Sequence, residues 1–182
     1  MNKIKHNQGF TIIETLVAIT ILMIAISGPL VVASKGSAGA VTARNQMIAS
    51  YMAQESMEGI KNIKDNNIAG SLAWLNGFNI GSTCNAPSAP CDLSGIDNPT
   101  LLTSGWSTLP DGTAVYPIVV VPDGYYSHNT GAVGSRATLF SRYFYLTRIS
   151  DDEYTAVVAV TWNEGLTPYT VSISSQITNS PR

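Results

Sequence analysis

The sequence predicts an α+β protein, with a long N-terminal helix whose first half suits a membrane and whose second half packs on a C-terminal antiparallel β-sheet. Three observations carry that expectation. From Thr15 through Ser34 there is no Asp, Glu, Lys or Arg. Apolar residues then keep recurring at helical spacing to about Lys64. Beyond about Ala69 the composition turns to Gly, Ser, Thr, Asn and Pro with short alternating apolar runs. The expected boundaries are a polar head at 1–9, a helix at 10–64 and a β-rich globular domain at 65–182.

Composition narrows the function classes. The 182 residues suit one ordinary domain with an appendage. Charged residues make up 12% of the chain, against about 25% in a typical soluble domain. Hydrophobic content of 45% is too high for a disordered chain. A net charge of −2 gives no electrostatic footprint for nucleic acid, which needs a clustered basic surface. Two cysteines are too few for a disulfide-dense scaffold or a thiolate zinc site.

The first element is the charge-free run. Its twenty residues, at about 1.5 Å each in a helix, span roughly 30 Å, the thickness of a bilayer's hydrocarbon core. Lys3 and Lys5 precede it with no acid between them and the N-terminus, so the positive-inside bias puts the N-terminus in the cytoplasm and the rest of the chain outside. A secretory signal would have a shorter apolar region, about 7–15 residues, closed by a small-x-small site. Ala38-Gly39-Ala40 is such a site but comes four residues beyond the run. A generic signal anchor explains the length and the lysines but gives no reason for Glu14. A carboxylate there is either tolerated at headgroup depth by the positive end of the helix or kept for function.

The run Gln8-Gly9-Phe10-Thr11-Ile12-Ile13-Glu14-Thr15-Leu16-Val17-Ala18 resembles the cleavage and methylation signal of type IV prepilins and pseudopilins. The resemblance covers roughly the first 30 residues. It implies a leader at 1–9, cut after Gly9 by a dedicated prepilin peptidase in the membrane. It implies N-methylation of the new terminus, Phe10, and an assembly role for Glu14, fifth from the cut. Gly9 has no side chain to keep a protease from the bond. Cutting there removes Lys3 and Lys5 and leaves the apolar segment on the mature protein as an anchor. The new α-amine and Glu14 are opposite charges in an apolar setting, where pairing offsets desolvation. In the family the Glu of an incoming subunit is thought to meet a neighbour's N-terminus. A pairing within one chain, one helical turn apart, stands beside that reading.

The second half of the helix carries Val41, Ile48, Met52, Ile60 and Ile63 at spacings that keep one side apolar, flanked by Met47, Tyr51 and Met57. Arg44, Asn45, Gln54, Glu58, Lys61 and Lys64 are expected largely elsewhere. From Phe10 to Lys64 such a helix would be about 80 Å long, so half of it is expected to project and find partners. Gly28-Pro29 removes a backbone hydrogen bond inside the apolar run. Between Ala33 and Ala40 small residues dominate. Two readings stand open for this stretch: an ordinary kink with a close-packing face, or a segment that unwinds when subunits bundle, as the pilin resemblance implies. The stretch Tyr51 to Asn67, with Ala53-Gln54-Glu55 followed by Glu58, resembles minor pilins of the PilV type. Helix-end chemistry accounts for much of it, because Lys61 and Lys64 suit the negative dipole end and Asn66-Asn67 suit a left-handed stop.

In the C-terminal half, Cys84 and Cys91 bound the run Cys-Asn-Ala-Pro-Ser-Ala-Pro-Cys. Outside the cytoplasm a local disulfide is the natural reading, worth roughly 2–3 kcal/mol and pinning a loop without organising a fold. The spacing is not that of a Cys-x-x-Cys redox site. Val115 to Val121, interrupted by Pro117, suits a strand edge or bend. Thr138 to Ile149 is rich in aromatic and β-branched residues. Tyr154 to Trp162 reads as a largely buried central strand. Tyr169, Val171 and Ile173 alternate with Thr170, Ser172 and Ser174 as a half-exposed strand. Asn163 to Pro168 supplies the turn between the last two. Three to five antiparallel strands are expected, with one face against the helix.

No residue set proposes an enzyme, a metal or a cofactor. His6 lies in the leader, and a lone loop imidazole, His128 in Tyr125-Tyr126-Ser127-His128-Asn129, is usually solvated surface. Asp151-Asp152-Glu153 reads as a charged hairpin turn, and Asp92 and Asp97 lack the ligand density of a calcium loop. The expected function is a minor pilin or pseudopilin subunit, single-pass in the membrane before assembly and in a surface or periplasmic filament afterwards. Its implied partners are other pilin subunits, prepilin peptidase, the inner-membrane assembly machinery and membrane lipid, with adhesion, motility, DNA uptake and type II secretion all open as the service. The alternative is a membrane-anchored extracytoplasmic binding module that never polymerises.

Overall fold

The computed structural model describes residues 11–78, 84–91, 93, 117–122, 124, 126–127 and 133–180. Helix α1 spans Ile12–Ala69, and the strands are β1 Pro117–Val120, β2 Tyr126–Ser127, β3 Arg136–Ser150, β4 Glu153–Glu164 and β5 Thr167–Thr178. The five strands form one antiparallel sheet in the order β2-β1-β3-β4-β5. The expected long helix on an antiparallel sheet is what the chain adopts. The chain divides into two compact units, Met1–Arg44 and Asn45–Arg182.

In the second unit the helix buries Asn45, Ala49, Met52, Ala53, Ser56, Met57, Ile60, Ile63, Lys64 and Asn67, a stripe at three- and four-residue spacing. Phe140, Arg142, Phe144 and Leu146 of β3 and Ala156, Val158, Val160 and Trp162 of β4 supply most of the buried positions of these two interior strands. Their register aligns aromatic rings across strands: Phe140 opposes Trp162, which opposes Tyr169. The Trp162 and Tyr169 rings stack at 5.4 Å and 13°, and the Phe140 and Trp162 rings lie 5.8 Å apart. Pairs of this kind add about 0.5–1.5 kcal/mol each beyond area burial.

Several local expectations are corrected. The helix ends at Ala69 rather than Lys64, and Asn66-Asn67 do not stop it. Ser71 takes the left-handed conformation at φ 56. The Leu72 N–H donates to the Asn67 carbonyl at 2.9 Å and the Ser71 N–H to that of Ile68 at 3.1 Å, which is the paired closure of a Schellman end. The Asn67 side chain instead holds the chain after the helix, because its Nδ2 donates to the carbonyls of Trp74 and Asn76, at 3.2 and 2.8 Å. Asn45 and Lys64, expected on the polar side, are buried. Asn45 Nδ2 donates to Glu164 Oε1 at 2.8 Å. Lys64 Nζ lies 2.8 Å from Asp65 Oδ1 and 3.4 Å from the Ser180 carbonyl. A buried polar group is tolerable only when bonded in this way; Asn45 ties the start of the buried helix stripe to the end of β4, and Lys64 reaches the chain just after β5. Val41, Met47 and Tyr51 are exposed.

The strands follow the alternation closely. The hairpin joining β4 to β5 is tighter than expected, with Glu164 opposing Thr167 and only Gly165-Leu166 between them. Gly165 has φ +63, the value a two-residue loop with glycine first requires. β1 is not an edge, since β2 and β3 flank it. Pro117 stands at its first residue, and the register with β3 shifts between Pro117 and Val119, where a missing N–H is tolerated. Asp151 and Asp152 form the β3–β4 turn, with Arg148 paired to Asp151 and Asn179 Nδ2 donating to Asp152 Oδ1 at 3.0 Å. On the sheet face away from the helix, partial burial and the neighbouring Tyr145 raise the pKa of the Tyr143 hydroxyl above the ordinary tyrosine value.

Arg142 is the largest side chain buried almost completely, at 1% exposure. Its Nη1 lies 3.3 Å from Glu55 Oε2 and 3.5 Å from the Met52 carbonyl, while the Glu55 side chain keeps 58% of its surface exposed. The arginine therefore bears the desolvation and the carboxylate does not. Arg142→Met is expected to stay within about 1.5 kcal/mol of the parent because the aliphatic stem's volume is retained. Glu55→Ala leaves a buried cation with fewer acceptors and is expected to cost about 1–3 kcal/mol. Urea unfolding followed by tryptophan fluorescence orders the two.

Candidate functional site

The candidate site is the first half of α1. Thr11 caps it: the Glu14 N–H donates to Thr11 Oγ1 at 3.3 Å and to its carbonyl at 3.1 Å, and the Thr15 N–H donates to the same carbonyl at 3.2 Å. Thr11 followed by Glu14 three residues on is also the pattern of a capping box. Glu14 lies in the first turn, where the partial positive charge of the unpaired N–H groups favours an acid. It is exposed.

Every described residue from Thr11 through Val41 is exposed, and the large apolar side chains among them point in all directions around the helix. Ile12, Ile24 and Val32 keep 87%, 75% and 72% of their surface accessible. A stable soluble helix buries at least a stripe, so a helix apolar all round is made for lipid or for other helices. Three of the hydroxyls within it are silenced locally. Thr15, Thr20 and Ser27 donate to the carbonyls of Ile12, Val17 and Ile24 at 2.8, 2.8 and 3.0 Å, which leaves few donors to satisfy in a hydrocarbon medium. By length and composition α1 contains a segment able to cross a membrane.

The helix continues through Pro29 and through the small residues from Ala33 to Ala40. Apart from chain neighbours and the helix's own backbone, no atom of the described residues lies within 4 Å of where a Cβ would stand on Gly28, Gly36 or Gly39. These glycines are not required by packing within the chain. They leave backbone open to close approach by another helix.

The other predicted residues divide plainly. Gly9 and Phe10, and with them the leader, lie outside the described residues, as do Asp92, Asp97, Tyr125 and His128. Tyr126 is half-buried in β2. Cys84 and Cys91 are paired at disulfide distance, with Cα atoms 5.0 Å apart. Their loop does more than close on itself. Cys91 and Phe144 exchange both backbone hydrogen bonds, at 2.8 and 2.9 Å, and the Leu146 N–H donates to the Cys84 carbonyl at 2.7 Å. The loop thus borders β3 beside Phe144 and Leu146, beyond the residues that pair with β1. Among the described residues no group of three or more His, Cys, Asp or Glu is placed to hold a metal ion.

Sequence reasoning missed Arg142, Asn67 and the Asn45–Glu164 tie. Arg142 carried a legible signal, since it occupies an inward position in the alternation Phe140, Arg142, Phe144, Leu146. Asn67 and Asn45 carried none, because a buried amide and a solvated one look alike before the chain around them is folded.

The family model for the prokaryotic N-terminal methylation motif matches residues 4–28. No curated protein and no solved structure matches the chain. The matched residues run from the basic head into the exposed apolar helix, and proteins with this motif serve as structural subunits. Apolar helix and motif together fit a membrane-anchored protein, and the motif marks the chain as a type IV prepilin- or pseudopilin-like protein.

Proposed function

We propose that this chain is a minor pilin or pseudopilin subunit, processed after Gly9 by prepilin peptidase, methylated at Phe10 and assembled through its N-terminal helix into a type IV pilus-like filament. The observation that carries the proposal is a methylation motif at residues 4–28 leading into a helix with no buried side chain from Thr11 through Val41. A helix of that kind needs an apolar medium on every side. Lipid supplies it before assembly, and the helices of neighbouring subunits supply it afterwards. Glu14 is the only ionisable side chain between Phe10 and Ser34, and we assign it the pairing with a neighbour's terminal amine. The PilV-like stretch ending α1 supports a minor rather than a major subunit. The disulfide between Cys84 and Cys91 belongs to the same proposal, since it forms outside the cytoplasm.

Processing is directly testable. Intact-mass measurement on protein purified from a host with a prepilin peptidase is expected to show a chain beginning at Phe10 and heavier by one methyl group. Recovery of the uncut chain, or of one cut near Ala40, overturns the reading. Fractionation separates the second reading, a membrane-anchored binding module, which predicts protein in membranes and none in sheared filaments.

A further inference from the structure

We infer that β5 is a self-association edge, at which a second copy of this chain pairs antiparallel and extends the sheet. β5 is the last strand of the sheet, and it is paired with β4 along its whole length without a register shift, from Thr167 opposite Glu164 to Thr178 opposite Glu153. Its other side is open. Among the described residues none of Thr167–Thr178 makes a backbone hydrogen bond outside that ladder, except that the Gln176 carbonyl accepts from Ser175 Oγ at 3.4 Å. Every second residue of an antiparallel edge strand turns its N–H and C=O away from the ladder, so alternate residues of this twelve-residue strand offer a template for another strand.

Folded proteins ordinarily blunt such an edge with lysine, a bulge, an internal proline or a short strand. From Tyr169 to Thr178 β5 has none of these devices. It carries no charged residue, its ladder has no bulge, and its proline, Pro168, is second from the start. The opposite edge, β2, is two residues long and too short to receive a twelve-residue strand, which leaves β5 itself as the matching partner.

The sequence of β5 fits its own reverse. Tyr169, Val171, Ile173, Ser175 and Ile177 lie on the half-buried or buried side, and Thr170, Ser172, Ser174 and Gln176 are exposed. A two-fold axis through Ser172 or Ile173 pairs odd positions with odd and even with even. Both faces of the sheet then continue across the join, and no like charges meet. A pairing of this kind is closed and yields a dimer.

The test uses the full-length chain in detergent micelles, comparing the parent with Ser172→Lys/Ser174→Lys. Both side chains are exposed, and either axis brings the new lysines of one copy against those of the other. Self-association measured by sedimentation is expected to weaken at least about tenfold, with an unchanged circular dichroism spectrum. Ser172→Thr/Ser174→Thr is expected to associate like the parent. Amides of β5 in the parent are expected to gain hydrogen-exchange protection as protein concentration rises. Association that survives both lysines is held by the apolar helices and overturns the inference, as does β5 exchange independent of concentration. Uncut and processed chains both contain β5, so the test stands apart from the outcome at Phe10.

Discussion

Glu14→Ala is expected to leave membrane insertion intact and to reduce incorporation into filaments at least about tenfold, the equivalent of losing roughly 1.4 kcal/mol of a subunit contact. A carboxylate in the apolar interior of a bilayer or helix bundle costs up to about 2.5–3.5 kcal/mol. Removing it makes insertion easier, so a loss of assembly cannot be put down to poor insertion. Under the proposed assembly, the amine of a processed neighbour would offset this cost, because pairing in a low-dielectric setting returns part of the desolvation of both charges. The local alternative is concrete. Thr11 and Glu14 form a capping-box pattern, in which the Glu14 side chain would serve its own helix terminus. Glu14→Gln separates the two, since glutamine caps as well as glutamate but carries no charge. If Glu14→Gln assembles normally while Glu14→Ala does not, capping is the function and the pairing of charges is wrong. If both fail, charge is what the filament reads. Immunoblots of membranes and of sheared filaments provide both measurements.

The features legible in the sequence are those set by periodicity, and the missed ones are those set by long-range pairing. A run of twenty residues without charge reads as a membrane-length helix wherever it lies. The alternation of Tyr154 through Trp162 reads as a strand because each second side chain faces the core. Neither inference needs a partner to be known. The helix end is different. Asn66 and Asn67 have the right chemistry for a left-handed stop, yet the buried amide of Asn67 gains more from two carbonyls at Trp74 and Asn76, and Ser71 takes the strained position instead. Lys64 shows the same competition: its place near the helix terminus suits the dipole, but its ammonium is drawn inward to Asp65 and the Ser180 carbonyl. The N-terminal methylation motif at residues 4–28 was legible for another reason, since a signal of this kind is set by spacing along the chain and owes nothing to tertiary packing.

The loop between Cys84 and Cys91 presents the opposite case, because its weight depends on what it touches, and Phe144→Ala is expected to cost more than the disulfide does. Phe144 is fully buried. It meets the Phe78 ring edge-on at 6.2 Å and opposes Val158 across the sheet, so it joins the chain after the helix to the centre of the core. Truncation to alanine is expected to cost about 3–5 kcal/mol, a large share of the roughly 5–15 kcal/mol that holds an ordinary domain. Cys84→Ser/Cys91→Ser removes a short-loop constraint worth about 2–3 kcal/mol in the chain-entropy model. It also leaves a serine at position 84 in the left-handed conformation, φ 60, that Cys84 now occupies, without the crosslink that holds it there. The two losses are not expected to add, because Phe144 exchanges backbone hydrogen bonds with Cys91 and neighbouring changes share their relaxation. Thermal unfolding of the two variants and of their combination measures each cost and the coupling. Exchange of the Leu146 amide, which donates to the Cys84 carbonyl, distinguishes their mechanisms. It is expected to quicken in the cysteine variant even where the core remains folded, and to follow global unfolding in Phe144→Ala. A cysteine variant that loses more stability than Phe144→Ala would make the crosslinked loop, rather than the aromatic contact, the organiser of this side of the core.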